Sequence, residues 1–227
     1  MNSSQERWFA QVFGCQLKAQ KLLRQALSHR SVAGDNNERL EFLGDAVLGC
    51  YVSEELYLRF PDAAEGQLSR LRVALVKGSA LAELSREIGL GEQLILGAGE
   101  KHGGGRHRDS ILADTLEALF GAIAVDLGQQ ACKSAIHRVF KTRFENLELS
   151  QADKDPKTRL QEFLQGLGRP LPYYELVETT GADHERVFTV RCFLEDEERD
   201  GEGRGASRRA AEQLAAEVLY GQLDSRS

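Results

Sequence analysis

Residues 37–45 of the chain read Asn-Glu-Arg-Leu-Glu-Phe-Leu-Gly-Asp. Three of them, Glu38, Glu41 and Asp45, are acidic and are spaced i, i+3 and i+7. At about 100° per residue, this spacing places the three carboxylates on one stripe of a helix, with an apolar stripe opposite. Like charges on one stripe repel one another, so the pattern predicts a positive partner. A divalent cation with oxygen ligands fits that requirement.

A second acidic pair lies in the apolar stretch of residues 111–123. Asp114 and Glu117 are spaced i and i+3 and are its only charged residues. Carboxylates in such surroundings need a partner or a metal, and the stretch contains no lysine or arginine. Together the two acidic segments predict a site of hard oxygen ligands for Mg²⁺, with Mn²⁺ as a substitute.

Other metal sites are disfavoured by the histidines and cysteines. A di-iron helical bundle needs Glu-x-x-His pairs, and none of the five histidines has a glutamate three residues before it. Likewise, no group of Cys and His has the spacing of zinc ligands. A simpler alternative stays open, in which the acids are solvated surface residues and Glu38 is a first-turn acid favoured by the helix dipole.

Composition limits the kind of protein. The 227 residues carry a net charge of −6, which argues against coating nucleic acid through bulk positive charge. No apolar run approaches the ~20 residues that cross a membrane. The N-terminus lacks a signal-peptide core, so we expect a cytoplasmic protein. The four cysteines form no CxxC pair and are expected to be buried free thiols: Cys15, Cys50, Cys132 and Cys192.

Two domains are predicted. Residues 1–149 have apolar positions three and four apart, which predicts an all-α domain. The polar segment 150–155 is typical of a linker. Residues 156–225 predict a small α+β domain in the order α-β-β-β-α, with strands near 174–179 and 187–193. The acidic run 195–202 is expected to be a solvated turn.

Residues 37–45 resemble the signature of the ribonuclease III family, and residues 111–118 resemble the family's other metal-binding helix. Residues 156–162 and 203–216 resemble the two ends of a double-stranded-RNA-binding domain. The likeness covers nearly the whole chain in the right order and is closest to the short bacterial form. It implies an Mg²⁺-dependent, homodimeric endonuclease of double-stranded RNA, without an organic cofactor or a membrane partner.

The resemblance also implies residue roles in the nuclease domain. Four carboxylates correspond to the metal-binding and catalytic set: Glu41, Asp45, Asp114 and Glu117. Glu38 and Glu65 correspond to two further acids of the catalytic cleft, which contact RNA or bridge the subunits. Phe42 corresponds to an aromatic side chain that inserts into the partner subunit.

In the second domain the resemblance implies contacts to double-stranded RNA. Six residues are the candidates: Gln161, Gln165, His184, Ser207, Arg208 and Arg209. Glutamines can bond 2′-hydroxyls in the minor groove, and a helix start with arginines suits phosphate. Glu212 stands where many such domains carry a third basic residue, which puts the affinity of the isolated domain in doubt. The basic glycine-rich stretch 103–108 is expected to be a mobile loop that approaches RNA.

Water, rather than the ribose 2′-hydroxyl, is the expected nucleophile, so the products should carry 5′-phosphate and 3′-hydroxyl ends. The resemblance implies ribosomal RNA precursors as substrates, with some mRNA and tRNA transcripts. Two alternatives remain: an RNA-binding protein that has lost catalysis, and a helical metal-storage or redox bundle. The presence of all four metal-site carboxylates favours the enzyme.

Overall fold

The structure is a computed structural model that describes residues 3–149, 155–181 and 186–224. The chain divides into two compact units, residues 1–152 and 153–227. The first is helical, and the second combines helices with a three-stranded antiparallel sheet. The predicted fold class, an all-α domain followed by an α+β domain, is therefore confirmed.

The helical unit is organised around one buried helix. Its elements, with two short 3-10 turns at Leu90–Gln93 and Gly105–His107, are α1 (Ser3–Phe13), α2 (Gln20–Leu27), α3 (Glu38–Arg59), α4 (Glu65–Val76), α5 (Gly78–Glu87), α6 (Ala98–His102), α7 (Asp109–Leu127) and α8 (Gln129–Glu145). Eleven of the 19 residues of α7 are buried. A helix that buries most of its residues belongs in the centre of a domain, and α3, α5, α2 and α8 pack against α7.

The second unit packs two helices on one sheet. Its elements are α9 (Pro156–Gly166), β1 (Tyr173–Thr180), β2 (Val187–Phe193), β3 (Asp200–Gly205) and α10 (Arg208–Asp224). The sheet order is β1-β2-β3 with antiparallel pairing throughout. The Asp155 carboxylate accepts a 3.1 Å hydrogen bond from the Thr158 N–H, and Pro156 takes the first helical position, which together start α9.

The acidic run 195–202 is only partly the turn that was expected. Residues 200–202 belong to β3, so the prediction was wrong for them. The strand has the sequence Asp-Gly-Glu-Gly-Arg-Gly, and its glycines face α10. A Cβ at Gly203 would lie 2.3 Å from the Ala211 carbonyl oxygen, so β3 and α10 touch backbone to backbone.

The stretch 103–108 is tied to its surroundings, contrary to the expected mobile loop. The Arg106 guanidinium donates a 2.7 Å hydrogen bond to the Gly91 carbonyl, and Arg108 pairs with Glu100 at 3.1 Å. All four cysteines are free, as expected. The expectation that all are buried was wrong, because Cys50 is exposed and Cys15 is half-buried.

Two predictions concern residues that lie mostly outside the described ranges. Apart from Asp155, the predicted linker 150–155 lies outside the described residues, and so does His184. The domain limits 1–149 and 156–225 stay predictions. Within the described ranges, no helix has the length and apolar content needed to span a membrane.

Candidate metal centre

The two acidic helices, α3 and α7, are in backbone contact. A Cβ added at Gly44 of α3 would lie 1.8 Å from the Glu117 carbonyl oxygen, and one at Gly121 of α7 would lie 2.1 Å from the Leu40 carbonyl oxygen. No real side chain fits at such distances, so the crossing requires glycine on both helices. The acidic stripes of α3 and α7 consequently meet beside the crossing point.

Three carboxylates converge there. Glu41, Asp114 and Glu117 each offer one oxygen, and these oxygens lie within 4.8 Å of one another. All three residues are half-buried. Half-buried carboxylates this close repel one another, and hard oxygen donors are the ligands that Mg²⁺ and Mn²⁺ prefer. The donor set therefore fits a divalent cation.

The raised pKa of Glu117 reflects this repulsion. Burial, followed by the negative charges of Asp45, Asp114 and Glu41, raises the pKa of Glu117 to about 8. Burial first, and then the charges of Asp114 and Glu38, raise the pKa of Glu41. Without a cation, protons therefore neutralise part of the negative charge of the cluster, because the charged carboxylates lose hydration and repel one another.

Asp45 lies near this cluster but outside it. Its side chain is exposed on α3, and it is not among the residues whose oxygens converge. Its charge nevertheless raises the pKa of both Glu41 and Glu117, which places it within electrostatic range. Its assignment as a metal ligand stays a prediction, with Asp45 at the rim of the cluster.

An open groove of about 390 Å³ runs beside the cluster. Its titratable lining residues are His29, Arg30, Glu38, Glu41, Glu100, Arg108 and Asp114. Glu38 is held at the groove edge by a 3.1 Å hydrogen bond from the Asn36 side-chain amide. The groove is therefore lined by carboxylates together with the guanidinium groups of Arg30 and Arg108.

Glu65 and Phe42 lie elsewhere on the surface of the chain. Glu65 begins α4, is exposed, and accepts a 2.7 Å hydrogen bond from the Ser69 hydroxyl. It is not among the described residues that line the groove, so its predicted cleft role stays untested. Phe42 has 81% of its surface exposed on α3, beside a depression lined by Leu43 and Val125.

Sequence reasoning missed several groove residues, among them Arg30, Glu100 and Asn37. Glu100 is half-buried and bridges to Arg108, but it stands alone in a glycine-rich segment, so spacing gives no sign of it. Asn37 is buried at the start of α3 and donates a 3.4 Å hydrogen bond to the buried Thr115 hydroxyl of α7. A polar residue just before the acidic stripe was the available signal, since buried amides need partners.

The second unit presents the other candidate residues at its surface. Gln161 and Gln165 lie on the accessible side of α9, while Leu160 and Leu164 fill the core. The Ser207 hydroxyl accepts a 3.2 Å hydrogen bond from the Ala210 N–H, so Ser207 caps α10. Arg208 and Arg209 follow in the exposed first turn of that helix.

Glu212 is neutralised by two cations of its own unit. Its carboxylate binds the Lys157 ammonium of α9 at 2.8 Å and the Arg208 guanidinium at 3.0 Å. The hydrogen bond from Lys157 is the largest cause of the lowered pKa of Glu212. The acid therefore joins the N-terminal turns of α9 and α10 and does not stand as an unpaired negative charge.

Comparison with known proteins agrees with both units. Residues 19–143 match a family model described as ribonuclease-III-like, and residues 156–223 match the double-stranded RNA binding motif. A protein named Ribonuclease 3 from Aliivibrio fischeri is 47% identical over 99% of this chain and 100% of its own length. A Ribonuclease 3 from Pseudomonas fluorescens is 55% identical over 89% of each chain.

Solved structures resemble the helical unit. The nuclease domain of a ribonuclease III from Campylobacter jejuni is 38% identical, has a TM-score of 0.59, and covers 63% of this chain and 97% of its own. A second structure of that domain is 40% identical with the same TM-score, and covers 61% of this chain and 97% of its own. It is described as showing flexibility in a region involved in dimer formation.

Gly44→Ala should separate α3 from α7 and disperse the carboxylates. We expect a loss of about 1–3 kcal/mol or more in the free energy of unfolding, because overpacked contacts force the backbone apart, together with weaker Mn²⁺ binding. Thermal melting and calorimetric Mn²⁺ titration measure both. Gly49→Ala on the same helix is the control, since a Cβ there meets nothing within 4 Å. Equal behaviour of the two variants would contradict the crossing.

Mn²⁺ binding should depend on pH through Glu117. Below its pKa of about 8 the carboxyl group holds a proton that a cation must displace. Affinity should therefore rise as the pH approaches that value, with proton release on binding. Calorimetry in two buffers of different ionisation heat counts the protons. Glu117→Gln should release fewer and exposed Glu145→Gln the same number, while pH-independent affinity would contradict the assignment.

Proposed function

The chain belongs to the ribonuclease III family of endoribonucleases, and from this premise we propose that it hydrolyses double-stranded RNA at the Glu41–Asp114–Glu117 cluster, leaving 5′-phosphate and 3′-hydroxyl ends. The observation that carries the proposal is the convergence of three carboxylate oxygens within 4.8 Å. The likeness of residues 156–223 to a double-stranded RNA binding motif supports the substrate class.

Glu41, Asp114 and Glu117 would hold the cation, with Asp45 at the rim as a further ligand. Mg²⁺, for which Mn²⁺ can substitute, supplies activation of water and neutralisation of charge on the phosphate oxygens. The protein fixes the ligand geometry through the glycine crossing, which sets the separation of α3 and α7. Asp114 and Glu117 cannot drift, because neighbouring residues of α7 fill the core. The site is thus prepared before substrate arrives.

Shape recognition is the proposed work of the second unit. Gln161 and Gln165 can donate to and accept from 2′-hydroxyls in the wide minor groove of A-form RNA. Ser207, Arg208 and Arg209 at the start of α10 suit a backbone phosphate. His184 is proposed to reach a second minor groove. Such contacts read the duplex geometry and not its sequence, so many duplexes would be bound.

We also propose a homodimer with Phe42 at its interface. An aromatic side chain left almost fully exposed beside an apolar depression is suited to bury itself in a second copy. Glu65 would then line a cleft completed by the partner. The Campylobacter jejuni nuclease domain, which is described as having a region involved in dimer formation, supports the dimer itself.

We propose that the protein acts in the cytoplasm and uses no organic cofactor. Ribosomal RNA precursors, with some mRNA and tRNA transcripts, are the proposed substrates. A family member that binds RNA but has lost catalysis is the competing reading. It is disfavoured because Glu41, Asp45, Asp114 and Glu117 are all retained.

Glu117→Gln should abolish cleavage and leave duplex binding intact. The change is nearly isosteric, but it removes a charge from the cluster. A cost of several kcal/mol at a metal-assisted phosphoryl centre corresponds to about a thousandfold or more in rate. A long RNA duplex is incubated with and without Mg²⁺, and the ends are analysed while binding is measured by gel shift.

Glu145→Gln is the matched control, because that carboxylate is exposed on α8 in a 3.8 Å pair with Lys141. EDTA should stop the wild-type protein, and Mg²⁺ or Mn²⁺ should restore it. Near-normal cleavage by Glu117→Gln, or cutting that persists in chelator, would remove the metal cluster from the mechanism. Cyclic phosphate ends would show attack by the 2′-hydroxyl and contradict hydrolysis.

Phe42→Asp should convert the dimer into monomers, because a buried carboxylate at an interface has no partner to compensate its lost hydration. Light scattering measures the mass. Leu167→Asp is the control, since it places the same charge on an exposed apolar residue of the second unit. A Phe42→Asp protein with the mass of a dimer shows that the contact lies elsewhere.

A further inference from the structure

The groove beside the acidic cluster is lined by His29 and by the cationic Arg30, which lie on a segment whose backbone is held on several sides. The His29 N–H donates to the Ile95 carbonyl at 3.0 Å, and the Asn37 N–H donates to the Ser28 carbonyl at 2.9 Å. The Gly97 N–H donates to the Ser31 hydroxyl oxygen at 2.9 Å. These bonds hold the backbone around Arg30 against the start of α3 and against the segment that follows the 3-10 turn Leu90–Gln93.

Arg30 lies close to the acids but forms no short hydrogen bond with Glu38, its ion-pair partner. Its guanidinium pairs with Glu38 at 3.8 Å, which is too long for a charge-assisted hydrogen bond of about 2.7–2.9 Å. The side chain is 72% exposed. Burial raises the pKa of both Glu41 and Asp114, and the positive charge of Arg30 partly offsets that rise at each, which places the guanidinium within electrostatic range of the cluster. Arg108, in contrast, is paired at 3.1 Å with Glu100.

A duplex approaching this groove brings negative phosphates towards negative carboxylates. The planar fork of an arginine matches a phosphate and keeps its charge at all working pH values. The backbone that carries Arg30 is already held at the groove edge, so its exposed guanidinium can reach a phosphate without rearrangement of the main chain. Arg30 stands where such a contact is needed, next to the acids and open to solvent.

We propose that Arg30 binds a backbone phosphate of the duplex beside the bond that is cut, and that its charge otherwise opposes cation binding in the cluster. The inference rests on the proposed nuclease function. The inference predicts a pair of effects that a purely structural role would not produce. Removing the charge of Arg30 should strengthen cation binding and lower kcat/KM for duplex RNA. The two effects have opposite signs because the two ligands have opposite charges.

Three variants test this in the full-length protein: Arg30→Gln, Arg30→Lys, and Lys141→Gln as the control. The control removes one exposed positive charge on α8, outside the groove. Without RNA, Arg30→Gln should bind Mn²⁺ about two- to fivefold more tightly by calorimetry, because one repulsive charge is gone. With duplex and saturating Mg²⁺, its kcat/KM should fall by about tenfold.

Salt dependence gives a third reading. The slope of log kcat/KM against log salt at low substrate should become shallower by about one unit for Arg30→Gln, as expected for one lost phosphate contact. Arg30→Lys keeps the charge but not the fork, so its Mn²⁺ affinity should match the wild type while its kcat/KM lies in between. Lys141→Gln should resemble the wild type in Mn²⁺ affinity and in kcat/KM.

Two outcomes overturn the inference. Equal kcat/KM for Arg30→Gln and the wild type removes the phosphate contact. Weaker Mn²⁺ binding by Arg30→Gln shows that Arg30 supports the ligands instead of opposing the cation. A wild-type protein that does not cut in saturating Mg²⁺ defeats the proposed function itself, which is a distinct result. If Arg30→Gln melts at a lower temperature, Arg30→Lys still decides between charge and packing.

Discussion

The backbone contact between α3 and α7 at Gly44 and Gly121 determines where every acid of the cluster lies. A Cβ at either position would lie about 2 Å from a carbonyl of the other helix (1.8 and 2.1 Å), so any larger residue widens the crossing. Residues one or two turns before these glycines then face one another across a narrow gap. Glu41, Asp114 and Glu117 meet in this way, and the cluster is a direct consequence of two missing side chains.

Bringing these acids together has an electrostatic cost that the rest of the unit must offset. Burial and mutual repulsion raise the pKa of Glu117 to about 8. The offset comes from α7, whose apolar residues fill the core. Fully burying one Leu or Phe side chain contributes about 1.5–3 kcal/mol, and Leu112, Leu116, Leu119 and Phe120 are all fully buried. A strained acidic site is thus carried on the most firmly packed helix, which keeps its ligands in place for a cation.

The sequence predicted those features that depend on spacing along one helix. The i, i+3 and i+7 acids, the buried character of α7 and the α-β-β-β-α order all follow from local periodicity. Features that depend on the approach of segments distant in the chain could not be predicted from the sequence. Glu100 enters the groove through a glycine-rich segment without period, and Asp45 shares the stripe of Glu41 yet stands outside the convergence. The third strand was expected in the order but was not located, because the alternate glycines of β3 that admit α10 also make the segment resemble a turn.

The central claim is that the glycine crossing creates a divalent-cation site between α3 and α7. A crystal structure of the protein grown with Mn²⁺, with anomalous diffraction measured at the manganese edge, tests it most directly. The account predicts an anomalous peak at about 2.1 Å from carboxylate oxygens of Glu41, Asp114 and Glu117, the distance typical of small hard cations. A map in which Mn²⁺ binds only at other acids, with these three carboxylates bare, would contradict the claim.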